Sequence, residues 1–175
     1  MMQYILAAEA DKIQDFVFRS SKLREVVGGS QLLSRFCEEV PSLLKPPGAG
    51  MEMVISAGGG FCILFYNENE ARSFGERLAE VYHRATGSSL TVAKPVAVNE
   101  SFGKASEVAQ RELRKEKRWH EGWQSKEHMP YIAFCASCGI GLAVDYIAYH
   151  DESSKQYLCA ACLNKDAERG PPRHA

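Results

Sequence analysis

The sequence predicts an α+β protein: a ferredoxin-like βαββαβ domain with a C-terminal zinc-ribbon module. Three observations predict it. Apolar runs and amphipathic stretches follow one another as strand, helix, strand, strand, helix, strand over residues 1–100. Gly58-Gly59-Gly60 separates the second strand from the third, as a tight hairpin requires. Two Cys-x-x-Cys pairs stand near the C-terminus with twenty residues between them. The boundaries read 1–100 for the first domain, 101–129 for a basic helix and linker, 130–165 for the zinc module and 166–175 for a tail. A chain of 175 residues suits one compact domain plus a small module.

Each element has its own warrant. Residues 3–9 are a short apolar run that fits a buried first strand ending near Glu9. Ile13, Phe16, Val17 and Val27 recur at roughly helical spacing, and Gly28-Gly29 interrupts them. Ser30 is then a good N-cap for a second helix with the apolar stripe Leu32, Leu33, Phe36 and Val40, closed by Pro41 and Pro46-Pro47-Gly48. Residues 51–57 and 61–66 are two β-rich runs. Ala71, Phe74, Leu78, Val81, Tyr82 and Ala85 form one face of a helix, with Glu68 and Glu70 near its start and Gly87 as its stop. Leu90, Val92, Val96 and Val98 mark an edge strand, because Pro95 cannot donate to a ladder. Residues 101–119 read as a further helix, made basic by Arg111, Arg114, Lys115, Lys117 and Arg118.

Composition narrows the function classes. With 21 basic against 22 acidic residues, any nucleic-acid contact must be a local patch. No run approaches the apolar length of a membrane span, and the first ten residues lack the features of a signal peptide. The expected location is therefore cytoplasmic, with the six cysteines as reduced thiols and no membrane partner.

The firmest motif is Cys135-x-x-Cys138 with Cys159-x-x-Cys162. Each pair aims two thiolates at one point, and two such knuckles complete a tetrahedron around zinc. Four protein ligands leave no open position, so the zinc is structural. The bland alternative is two accidental pairs in a core. A redox role is disfavoured because the two pairs come together and neither is expected to open a helix after a strand. Cys37 and Cys62 read as small buried hydrophobes.

The remaining motifs keep two readings each. Gly28-Gly29-Ser30, preceded by Arg24, either opens a helix that receives a phosphate or is a plain kink. Gly58-Gly59-Gly60 is either a tight turn or a place where a ligand approaches the backbone. Glu9 and Asp11 are the only carboxylates at the expected strand end, too few for two-metal phosphoryl transfer. The basic run is interleaved with Glu112 and Glu116, so a solvated face competes with an RNA contact. Trp119 and Trp123 could stack a base or dock their helix on the sheet.

AAEADKIQDFVFRSSKLREVVGGSQLLSRF, then ISAGGGFCILF, then CASCG and CAAC together resemble the palm-domain large subunit of type III CRISPR effector complexes and its stand-alone relatives. That family has two palms with a cysteine zinc module between them. This chain resembles the first palm and the module. The second palm of the family carries a Gly-Gly-Asp-Asp hairpin and makes cyclic oligonucleotides from ATP. Gly58-Gly59-Gly60-Phe61 matches the inactive version, and Glu9 stands where the family's first strand usually ends in Asp. No HD nuclease segment precedes Met1, so the resemblance implies no DNA cleavage by this chain.

What the resemblance implies is a palm that catalyses nothing alone. Glu9, Gly28, Gly29, Ser30, Gly58, Gly59 and Gly60 would form half of an ATP site, with Mg, completed by a second palm in cis or in trans. RNA and other CRISPR effector subunits are the further expected partners. The alternative is a nucleic-acid-binding module that uses the zinc ribbon and the basic helix. An active cyclase relying on Glu9 and Asp11 is a weaker third reading.

Overall fold

The computed structural model describes residues 2–20, 22–120, 133–148 and 155–168. The elements run β1 (Tyr4–Ala10), α1 (Ile13–Val17), α2 (Leu23–Leu43), β2 (Met51–Ala57), β3 (Gly60–Phe65), α3 (Glu68–Thr86), β4 (Leu90–Val92), β5 (Val96–Ala97), α4 (Phe102–His120), β6 (Asp145–Ala148), β7 (Lys155–Leu158) and α5 (Ala160–Glu168). Two compact units emerge. One joins Met1–Asp11, Ser34–His83 and Ser88–Ser125; the other joins Lys12–Leu33, Arg84–Gly87 and Lys126–Ala175.

The first unit is built on an antiparallel sheet in the order β2-β3-β1-β4, with β5 also paired to β1. This is the ferredoxin-like strand order, so the α+β fold class read from the sequence is the fold observed. Period-two alternation sorts the strands into two faces. Ile5, Ala7, Cys62 and Leu64 meet Ala105, Ala109 and Leu113 of α4 on one face. On the other, Phe61 stands edge-on to Phe36 of α2 with ring centroids 6.2 Å apart, and Phe65 packs on Phe74 of α3 at 5.3 Å. Phe36 also meets Tyr82 of α3 at 5.1 Å. Asn67 caps α3, its side-chain oxygen accepting the Asn69 N–H at 2.9 Å and the Glu70 N–H at 3.3 Å.

Three local expectations are corrected. The expected break at Gly28-Gly29 does not occur: α2 runs unbroken from Leu23 to Leu43, so Ser30 caps nothing and these residues are mid-helix. Glycine costs about 1 kcal/mol against alanine in a helix interior, so something must offset two of them. Gly28 lies against the backbone of Lys165 in α5, where a Cβ would overlap the Lys165 carbonyl oxygen. The pair is kept for close helix packing, not for a turn. Pro41 does not end the helix either; it lies within the last turn. Lacking an N–H, it leaves the Cys37 carbonyl without its usual partner, and the Ser56 hydroxyl donates to that carbonyl at 2.5 Å. The strand expected over 90–98 is divided into β4 and β5 around Lys94-Pro95, each paired to a different end of β1.

The second unit gathers Phe16, Val17, Leu158 and Ala161 around Cys135, Cys159 and Cys162. Its β6–β7 hairpin is in register from Asp145↔Leu158 to Ala148↔Lys155.

Candidate metal centre and strand-end site

The first cysteine pair lies in a knuckle closed by the isolated bridge Phe134↔Leu142. The Cys135 N–H donates to the Gly141 carbonyl at 2.8 Å, and the Gly139 N–H donates back to the Cys135 carbonyl at 2.9 Å. Gly139 has φ 66°, the positive value expected of a knuckle residue. The second pair departs from expectation. Cys159 follows β7 and Cys162 lies on the first turns of α5, so this pair does open a helix after a strand. The expected convergence of the two pairs remains the argument against a two-cysteine redox site, since all four sulfurs lie within 4.8 Å of one another.

The donor set fits a metal ion such as zinc. Four Zn–S bonds of about 2.3 Å in a tetrahedron put sulfurs about 3.8 Å apart, and Cys138 Sγ is 3.8 Å from Cys159 Sγ. Three of the four thiols are buried and Cys138 is half-buried. Hydrogen bonds from Cys159 and Cys162, helped by the Gly141 and Ile140 N–H groups, hold Cys138 well below an ordinary thiol. Bonds to that Cys138 sulfur, with burial, push Cys159 and Cys162 up. Four thiolates this close would repel one another, and a bound divalent cation would offset that repulsion.

Charged residues that sequence reading passed over surround this centre. Lys165, fully buried, donates from Nζ to the Phe16 carbonyl and lies 4.3 Å above the Phe16 ring. Burial lowers its pKa, while the nearby Glu25 carboxylate acts in the opposite direction. Glu25, 1% exposed, accepts from the hydroxyl of Ser137, one of the two residues between the first cysteines, and pairs with Lys22 at 3.6 Å. Burial alone would raise its pKa, but the Ser137 and Ser20 hydroxyls and Lys22 prevail and hold it below the usual value. The only sequence signals were the i, i+3 spacing of Lys165 from Cys162 and an acid beside the apolar Val26-Val27.

At the end of the first unit's sheet, Glu9 pairs across β1 with Gly60 on one side and Thr91 on the other. Gly58 and Gly59 form the two-residue hairpin loop with φ 59° and 79°, the sign a type I′ turn needs. Their environments differ. Gly58 is exposed, whereas Gly59 is buried, its carbonyl accepting from the Ala10 N–H at 2.8 Å and its N–H bonded to the Cys37 thiol. Asp11 and Glu9 both face Lys117 of α4, a partner not foreseen from the sequence. Gly28, Gly29 and Ser30 offer no free helix-start N–H groups, so the physical basis for a phosphate there is gone. In the basic run, Lys115 pairs with Glu112 at 2.6 Å. The side chain of Trp119 and all of Trp123 fall outside the described residues, as does the linker. Among the described residues no helix is long and apolar enough to cross a membrane.

No protein-family model matches the chain. No curated protein sequence matches it either. Among solved structures, one chain of the Csm1-Csm4 cassette in complex with cA4 is similar at 18% identity and a TM-score of 0.48. The match covers 90% of this chain and 25% of that one, so this chain spans about a quarter of its length.

Proposed function

We propose that this chain is a nucleotide-binding, non-catalytic palm with a structural zinc module, part of a type III CRISPR-like antiviral defence protein. It contributes half of an ATP site that a second palm completes in cis or in trans. The reading starts from the three ordered motifs in the sequence. The single observation that carries it further is the pairing of Glu9 with Gly60 beside the Gly58-Gly59 loop. A hairpin tip of glycines meets a strand end with carboxylates on that strand alone, which suits backbone approach to a ligand and not two-metal chemistry. The nucleotide contacts narrow to Glu9, Gly58 and Gly60, with Gly59 supporting the loop from within. One zinc ion is held by Cys135, Cys138, Cys159 and Cys162, and thiol ligation suits a reducing cytoplasm.

The test compares ATP affinity with and without a second palm bearing Gly-Gly-Asp-Asp. Alone, an open half-site should bind at ~1 mM or weaker; with the second palm, binding should tighten. Gly60→Val is the informative variant. Gly60 has no positive φ, and the nearest atom to its added Cβ is the Ala57 carbonyl at 3.5 Å, so the backbone there accepts a side chain beside Glu9. It should weaken ATP binding in the two-palm protein and leave zinc content unchanged. An affinity indifferent to the second palm, or to Gly60→Val, overturns the reading. RNA binding by the chain alone would then favour the nucleic-acid module.

A further inference from the structure

We infer that Lys117 is a built-in cation filling the carboxylate cradle at the end of β1, and that this sheet end is thereby closed to divalent metal ions. Lys117 Nζ lies 2.8 Å from Glu9 Oε1 and 3.8 Å from Asp11 Oδ1. Asp11 is itself fixed in place. The Thr91 hydroxyl, 1% exposed, donates to it from 2.8 Å of both carboxylate oxygens, and the Asp11 N–H donates to the Ser89 carbonyl at 2.9 Å. The Lys117 side chain is 25% exposed and that of Asp11 17%, while Glu9 at 47% forms the open rim of the cradle.

The chemistry of the cradle explains the exclusion. A magnesium or manganese ion at this strand end would need the Glu9 and Asp11 carboxylates as its inner ligands, with water or the Thr91 hydroxyl completing the shell. It would have to occupy the position the ammonium holds. An ammonium and a divalent ion at the same two carboxylates repel each other at close range, so each disfavours the other's binding. Lysine is tethered to α4 and pays no translational entropy to be there, whereas the ion must be stripped of water. Lys117 supplies the positive charge that a metal would bring, and in doing so joins the β1 end to α4. The inference does not depend on nucleotide binding and is tested without ATP.

The experiment uses the zinc-loaded full chain and Mn²⁺ alone, with free Mn²⁺ followed by electron paramagnetic resonance. Wild type, Lys117→Met and the double variant Lys117→Met/Asp11→Asn are compared. Removing the competing charge should raise Mn²⁺ affinity at least ~10-fold, and the double variant should lose that gain. Equal affinity in wild type and Lys117→Met, or a gain that survives Asp11→Asn, overturns the inference. Should Lys117→Met fail to fold, wild type alone decides. Sharp amide signals for Glu9, Asp11 and Thr91 in Mn²⁺ uphold it, and selective paramagnetic broadening there overturns it.

Discussion

Alanine at Gly28 should destabilise the unit that holds the cysteines, although alanine is the better helix former. Gly28 is interior to α2, so propensity alone favours the substitution by about 1 kcal/mol. Against this stands the Lys165 backbone. A Cβ at Gly28 would overlap the Lys165 carbonyl oxygen and come within 3.1 Å of its carbon. These are backbone atoms of α5 and cannot rotate away, so the helices must part. Overpacking of this kind costs about 1–3 kcal/mol, and parting the helices also strains the bond from Lys165 Nζ to the Phe16 carbonyl. The net loss should be about 1 kcal/mol, or roughly 2–4 °C in Tm for a chain of this size. Gly103→Ala is the control, since it lies in α4 with nothing within 4 Å of the added carbon; it should be neutral or stabilising by up to ~1 kcal/mol. Thermal unfolding of the zinc-loaded protein, with a chromophoric chelator reporting zinc release, reads the correct unit directly. A Gly28→Ala protein that releases zinc at or above the wild-type temperature would refute the packing argument.

Cys162→Ser should abolish stoichiometric zinc and the thiolate-to-cobalt charge-transfer band of the Co²⁺-substituted protein; a retained band shows that Cys162 is not a ligand. Ser56→Ala removes the donor that serves the Cys37 carbonyl above Pro41 and should cost about 1–3 kcal/mol in chemical denaturation; an unchanged midpoint would mean another group serves that carbonyl. Burial pushes the Cys37 and Cys62 thiols up, with Gly59 N–H partly opposing it at Cys37. At pH 8 both therefore hold less thiolate than an ordinary cysteine, and iodoacetamide should leave them unmodified in the zinc-loaded fold. Native-state labelling of either, read by mass spectrometry, would contradict the burial.

What could be read from the sequence was local. The first strand, the glycine hairpin and α3 announced themselves through period-two and period-3.6 apolar patterns, because each buries one face of one element. The four cysteines were legible through spacing alone, since a knuckle is a local structure. Gly28-Gly29 misled because the reason for it lies in α5, far along the chain, where Lys165 makes its close approach. The same distance hid Lys117. A lysine in a run of alternating charge reads as solvated, and only the packing of α4 on β1 turns it towards Glu9 and Asp11. Pro95 was read correctly as an edge feature, but propensity could not say that the ladder would resume at Val96.

The cysteine-bearing unit is discontinuous in the chain, and this bears on how the protein could be cut or transplanted. Its apolar core takes Phe16 and Val17 from near the N-terminus, together with Leu158 and the cysteines from the C-terminal third. Glu25 and Phe16 likewise receive hydrogen bonds from Ser137 and Lys165. A gene fragment beginning near residue 130 would carry all four clustered cysteines and still lack Phe16 and Val17, against which they pack. Zinc affinity in such a fragment would reflect the knuckles alone, stripped of their hydrophobic support. A metal ion held by the four cysteines would set the shape of the face that packs on Phe16 and Val17, so its loss would be felt well upstream of the cysteines themselves.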